Sequence, residues 1–217
     1  YKKLFIEIFY IICKIVNYIH NFKSYCFKYK ILSKLIIIDN YDSFTYNLVH
    51  YLEPQFREII IFRNDEINYD QISKNHKILL SPGPGLPSDN KDLNEVIDRY
   101  HLSNNIFGVC LGFQALGQYF GAGLENLRNV RHGIQSKIKV LDHQFLFKNI
   151  PNNFSIGHYH SWVIKNIPSN IKVTAKDFED YAMAFRHTDL KISGIQFHPE
   201  SILTEYGKQI LQNWINN

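Results

Sequence analysis

The chain has 217 residues, 45% of them hydrophobic, enough for one domain with a substantial core. Its three cysteines, Cys13, Cys26 and Cys110, are too few and too scattered for a disulfide framework or a four-ligand zinc site, which favours a reducing compartment and hence the cytoplasm. The net charge of +4 is unevenly held: residues 1–33 carry six lysines against Glu7, a net of +5, so +4 less +5 leaves −1 for residues 34–217, and no nucleic-acid face is expected there.

Residues 1–33 form a basic, apolar extension whose hydrophobic run is interrupted by Glu7, Lys14 and Asn17. It is too short and too charged for a membrane span, and no small-residue cleavage site follows it. Membrane contact is therefore not the favoured reading. A poorly ordered or carried-over upstream segment and a packed helix stay open beside it, and no function is assigned.

From residue 34 the pattern changes to a single domain, 34–217. Short β-type apolar runs occur at LIIID (35–39), REIIIF (57–62), KILLS (77–81), IFGV (106–109) and ISGIQF (192–197). Helical spacing occurs in FTYNLVHYLE (44–53), LGFQALGQYF (111–120) and ILTEYGKQILQNWI (202–215). Near-continuous apolar strands alternating with helices predict an α/β fold, an open, mostly parallel sheet flanked by helices on both faces. Residues 134–190 read as several short strands with turns at PNN and PSN, an antiparallel excursion before the last core strand.

In such sheets ligands bind beyond the carboxyl ends of the strands. That selects DNYDSFTYN (39–47), SPGPGLP (81–87), CLGFQ (110–114) and HPE (198–200). In the first, Asp42 and Ser43 are placed to cap the following helix. In the second, two Pro-Gly steps make a rigid turn whose amides can lie against a ligand; it lacks the Lys and Ser/Thr of a phosphate-binding loop.

Cys110 stands between Gly108 and Gly112 at a strand-to-helix corner. A side chain lifted out of so tight a bend needs small neighbours, and the amides opening the helix favour a thiolate and an oxyanion. Buried filler is the commoner fate of a lone cysteine. His198 and Glu200, emerging on the same sheet edge, tip the balance: a base for the thiol, and a carboxylate to fix the base's tautomer. No metal-ligand cluster or dinucleotide motif is found, so neither metal nor organic cofactor is implied.

DNYDSFTYN, SPGPGLP, GVCLGFQALGQ (108–118), HYHSW (158–162) and GIQFHPESILTEYG (194–207), in this order and spacing, resemble the class I, triad-type glutamine amidotransferases, whose fold is flavodoxin-like. More narrowly, they resemble the small subunits (component II) of anthranilate synthase and of aminodeoxychorismate synthase. The resemblance implies a Cys110, His198, Glu200 triad that hydrolyses L-glutamine through a cysteine glutamyl-thioester. It implies oxyanion donors at the backbone amides of Gly85 and Leu111. Glutamine would be held by Gly83, Pro84, Gly85 and Gln114 and by the backbone around Ser161 and Trp162. It also implies delivery of ammonia to a larger, chorismate-binding synthase subunit, for tryptophan or for folate biosynthesis, or for both. A non-catalytic regulatory subunit is the reading from another class, opposed by the intact triad. The chain departs from the family pattern at Phe113, where many relatives have His, at Arg131-His132-Gly133-Ile134, where a His-Gly-Lys step is frequent, and at Trp162, where Leu is commoner.

Overall fold

The computed structural model describes residues 32–217. Residues 1–31 of the extension lie outside the described residues, while Leu32 and Ser33 open the first strand. In chain order the strands are β1 (Leu32–Asp39), β2 (Phe56–Arg63), β3 (Lys77–Leu80), β4 (Asn105–Val109), β5 (Gly123–Val140), β6 (Asn153–Lys165), β7 (Ile171–Asp177), β8 (Ala182–His187) and β9 (Ile192–Ile195). The helices are α1 (Thr45–Leu52), α2 (Lys91–Tyr100), α3 (Leu111–Tyr119) and α4 (Gly207–Ile215).

All nine strands share one sheet, ordered β2-β1-β3-β4-β9-β8-β7-β5-β6. The first five are mutually parallel, and the remaining four extend the sheet antiparallel. The apolar run of β1 shows why the parallel half is continuous in hydrophobicity. Leu35 and Ile37 enter one core with Leu48 and Leu52 of α1 and Ile210, Leu211 and Trp214 of α4. Ile36 and Ile38 enter the other, with Leu93, Val96 and Ile97 of α2 and Phe113 and Leu116 of α3. Each fully buried aliphatic contributes roughly 1.5–3 kcal/mol, so both faces of the strand must be apolar.

Three elements differ from the sequence reading. Helix α2 was not among the predicted helices. The excursion is built mainly from one long hairpin of 18 and 13 residues rather than several short strands, and it starts at Gly123 rather than 134. Its register shifts between Asn126/Arg131 and His132/Ile134 break the alternation that would have revealed it. Finally, α4 begins at Gly207 because residues 201–206 are turns, with Tyr206 left-handed at φ 60°. A bend at Asn152 and a turn at 169–170 fall within the predicted PNN and PSN segments.

Candidate active site

The parallel register of β4 and β9 pairs Val109 with Ile195, and Cys110 N donates to Ile195 O at 2.9 Å. Leaving the sheet side by side, the two strands bring Cys110 next to Gln196, with His198 two residues beyond. The backbone of Cys110 is held at φ 52°, ψ −101°, a conformation that costs an L-residue on the order of 1–3 kcal/mol and persists only where the surroundings impose it. Here they do. A Cβ on Gly108 would come within 2.4 Å of the Gly112 backbone, and one on Gly112 within 2.3 Å of Leu80 O. Strand, corner and helix are in direct backbone contact, and the thiol is left only 6% exposed.

His198 is 3% exposed, and its Nδ1 lies 2.6 Å from Glu200 Oε1. Nε2 has no hydrogen-bond partner among the described residues, so it is the ring nitrogen left for a proton from the thiol. Burial disfavours the imidazolium, but hydrogen-bonding and charge interactions with the Cys110 sulfur and then with the Glu200 carboxylate outweigh burial and hold the His198 pKa well above 6.5. Phe44 and Tyr159 meet the ring edge-on, with centroids 6.3 and 5.0 Å away. Thr204 Oγ1 donates to His198 O at 2.6 Å, pinning the His-Pro-Glu turn.

The Pro-Gly turn packs against the same corner. A Cβ at Gly83 would lie 2.5 Å from Asn40 Cβ and 2.9 Å from Leu111 Cδ2, so the turn can approach the start of α3 only with glycine there. Pro84 and Gly85 are exposed at the mouth, and Gly85 takes φ +76°. Leu111 opens α3, whose first amides have no intrahelical partner. Behind the turn, Asn40 N donates to Ser81 Oγ and Asn40 Nδ2 to Ser81 O, both at 2.8 Å. Asn64 Nδ2 bridges Asn40 Oδ1 and Asn90 Oδ1. This buried amide network, which the sequence reading did not single out, ties the ends of β1, β2 and β3 together.

Gln114 Nε2 donates to Trp162 O at 2.8 Å and to Gln196 Oε1 at 3.1 Å, locking β6 against α3 and bringing the half-buried Ser161 and Trp162 to the site. Gln196, also overlooked in the sequence, is fully buried and places Nε2 3.7 Å from Cys110 Sγ. Beyond Trp162 the chain of contacts continues through His160 Nδ1 to Trp162 O, His158 Nδ1 to His160 Nε2 and Ser136 Oγ to His158 Nε2. Burial, with Arg131 as a further cause, lowers the His158 pKa to about 4; burial, with His158 as its neighbour, lowers that of His160 to about 3.

The profile of the family described as glutamine amidotransferase class-I matches residues 36–217. This chain belongs to that family. The amidotransferase is 42% identical over 185 residues to the aminodeoxychorismate/anthranilate synthase component 2 of Bacillus subtilis, covering 83% of this chain and 95% of that protein. It is 41% identical over 189 residues to the multifunctional tryptophan biosynthesis protein of Schizosaccharomyces pombe, covering 84% of this chain and 25% of that longer protein. A solved Thermoplasma acidophilum protein, provisionally described as part of GMP synthase, superimposes with a TM-score of 0.77 at 25% identity, covering 85% of this chain and 93% of that one.

Set in this amidotransferase, the departures in sequence have physical places. Phe113 is fully buried against Phe185, ring centroids 4.8 Å apart, and is core packing. Arg131 bonds Asp177 at 2.6 Å and also pairs with Glu179, while His132 stands edge-on to Tyr159. The helix cap differs from the expectation: Asp42 Oδ1 accepts from Phe44 N at 2.8 Å, but Phe44 itself occupies the cap position of α1 without a side-chain bond. Among the described residues no cluster suits a metal ion, and no helix is long and apolar enough to cross a membrane.

Proposed function

We propose that this amidotransferase is the glutaminase of anthranilate synthase, its component II, feeding ammonia to a larger chorismate-binding synthase subunit. The observation that carries the reading is the buried Cys110, His198, Glu200 set beyond the carboxyl ends of the central strands β4 and β9. Cys110 Sγ attacks the side-chain carboxamide carbon of L-glutamine as His198 Nε2 takes the thiol proton, and Glu200 holds the imidazolium. The amides of Gly85 and Leu111 receive the oxyanion. His198 then protonates the leaving nitrogen, the C–N bond breaks, and ammonia departs from a glutamyl thioester. Water, deprotonated by His198, attacks that carbonyl; the C–S bond breaks, releasing glutamate and restoring the thiol.

Gly83, Pro84 and Gly85 border the substrate on one side, and the backbone at Ser161 and Trp162 on another. Gln114 spends both Nε2 hydrogens inside the protein, which leaves Oε1 to accept from the α-amino group of glutamine. Tyr41, Phe44, Tyr46 and Ile202 are exposed near the mouth, Ile202 by 98%, and offer an apolar rim for the larger synthase chain to cover. The Bacillus subtilis relative carries both names, which favours a second assignment beside the first: the same glutaminase serving aminodeoxychorismate synthase as well.

The test is intact-protein mass spectrometry after exposure to an electrophilic glutamine analogue, with Cys110→Ala for comparison and Cys13 and Cys26 as internal controls. One adduct, mapped to Cys110, is expected. Mixing the protein with each chorismate-using partner and measuring glutamine-dependent synthesis then decides between one partner and two.

A further inference from the structure

We infer that Gln196 is a further catalytic residue: its side-chain amide donates a hydrogen bond to the sulfur of Cys110 and stabilises the thiolate. The inference rests on Cys110 being the nucleophile proposed above.

The amide's orientation follows from its neighbours rather than from the position of Gln196 alone. The carbonyl of Trp162 can only accept, so the group Gln114 places 2.8 Å from it must be the NH2. That NH2 has a second hydrogen, directed 3.1 Å to Gln196, so Gln196 must present its oxygen there. Its own NH2 is then the group turned to Cys110 Sγ, 3.7 Å away. Reversing Gln196 would set two NH2 groups against each other and an oxygen against the sulfur, losing two bonds in a site where neither glutamine exceeds 3% exposure. The same carbonyl fixes the histidines. His160 Nδ1–H donates to Trp162 O, His160 Nε2 accepts from His158 Nδ1–H, and His158 Nε2 accepts from the Ser136 hydroxyl. One peptide oxygen thus sets the polarity of a seven-residue chain that ends on the nucleophile.

An N–H held at the sulfur favours its anion before substrate arrives. It needs no reorganisation, because the segment leaving β9 (Ile192–Ile195) carries both Gln196 and, two residues on, His198.

The experiment compares wild type, Gln196→Glu and Gln196→Met for the rate at which a small neutral alkylating agent modifies Cys110 across pH, and for glutamate release. Gln196→Glu turns an acceptor toward the sulfur, and Gln196→Met keeps the length without a donor. Alkylation is expected to slow about tenfold at neutral pH, to have its pH midpoint moved upward, and to converge with wild type near about pH 10, where the thiol is ionised regardless. Gln114→Met, which frees the Gln196 amide to rotate, is expected to act in the same direction more weakly, and carries the test if the Gln196 variants do not fold. Variants matching wild type at every pH overturn the inference. So do variants that are uniformly slower at every pH, since that shows obstruction of the thiol alone. Failure of wild-type Cys110 to take an adduct from the glutamine analogue would instead overturn the proposed function itself.

Discussion

His198 Nδ1 and Glu200 Oε1 stand 2.6 Å apart across a single proline, with side chains 4% and 1% exposed. Solvent cannot substitute for either partner, so the pair's geometry is also its chemistry. Replacing Glu200 by Gln keeps the volume and removes the charge that holds the imidazolium. Glutamate release should fall by about a hundredfold or more, measured at saturating glutamine, with little loss of cooperative unfolding.

The raised pKa of His198 also has a stability consequence of definite sign. A group whose pKa is raised by folding contributes stability that is fully present below the ordinary histidine value and is lost as pH rises through the raised one. In Glu200→Gln one of the two raising partners is gone, so the melting temperature should decline less than that of wild type as pH increases above about 6.5. Paired thermal melts at successive pH values check this.

His158 and His160 predict the opposite slope. Their pKa values of about 4 and about 3 lie below the unfolded value, so the stability they confer is complete above about pH 6.5 and drains away as pH falls toward 4 and 3. Protonating His160 Nε2 would also set it against the His158 N–H. His158→Gln, which can bond without titrating, should lose less melting temperature than wild type between pH 7 and pH 5.

The corner glycines predict a contrast within one residue type. Gly108→Ala or Gly112→Ala would drive a methyl to 2.4 or 2.3 Å of backbone atoms, so each should destabilise by about 3 kcal/mol or more and abolish glutaminase activity. Gly133→Ala, at φ +68° with nothing within 4 Å, should cost only the conformational strain of about 1 kcal/mol. Urea midpoints for the three variants measure the difference.

Arg131 is 13% exposed and its partner Asp177 only 3%. Arg131→Met would take the cation from Asp177 Oδ2 while Oδ1 keeps the amides of Glu179 and Tyr181, at a cost of about 1–3 kcal/mol. The double variant Arg131→Met, Asp177→Asn should recover part of that loss, a coupling that a thermodynamic cycle resolves.

The parallel half of the sheet was legible in the sequence because a strand buried on both faces must be apolar at every position, as Leu35 to Ile38 are. The four segments at strand ends followed from that, and with them Cys110 and His198. Helix α2 was harder to see: only Leu93, Val96 and Ile97 mark its buried stripe among charged and polar neighbours. The long hairpin was obscured by its bulges and by many exposed residues in β5. Gln196 read as one more residue of the strand ISGIQF. Its meaning depends on Gln114 and Trp162, 82 and 34 residues away in sequence, a relation no local pattern contains.

The order of the sheet sets a timetable for this enzyme. β9 is the last strand in the chain and lies in the middle of the sheet, between β4 and β8. While the chain is being synthesised, the segment bearing Cys110 emerges well before the one bearing His198, with the whole excursion of β5 to β8 between them. Until that strand is seated, the thiol has neither His198 nor Gln196 beside it. A truncated chain that ends before β9 also lacks Gln196 and His198, and is expected to release no glutamate from glutamine.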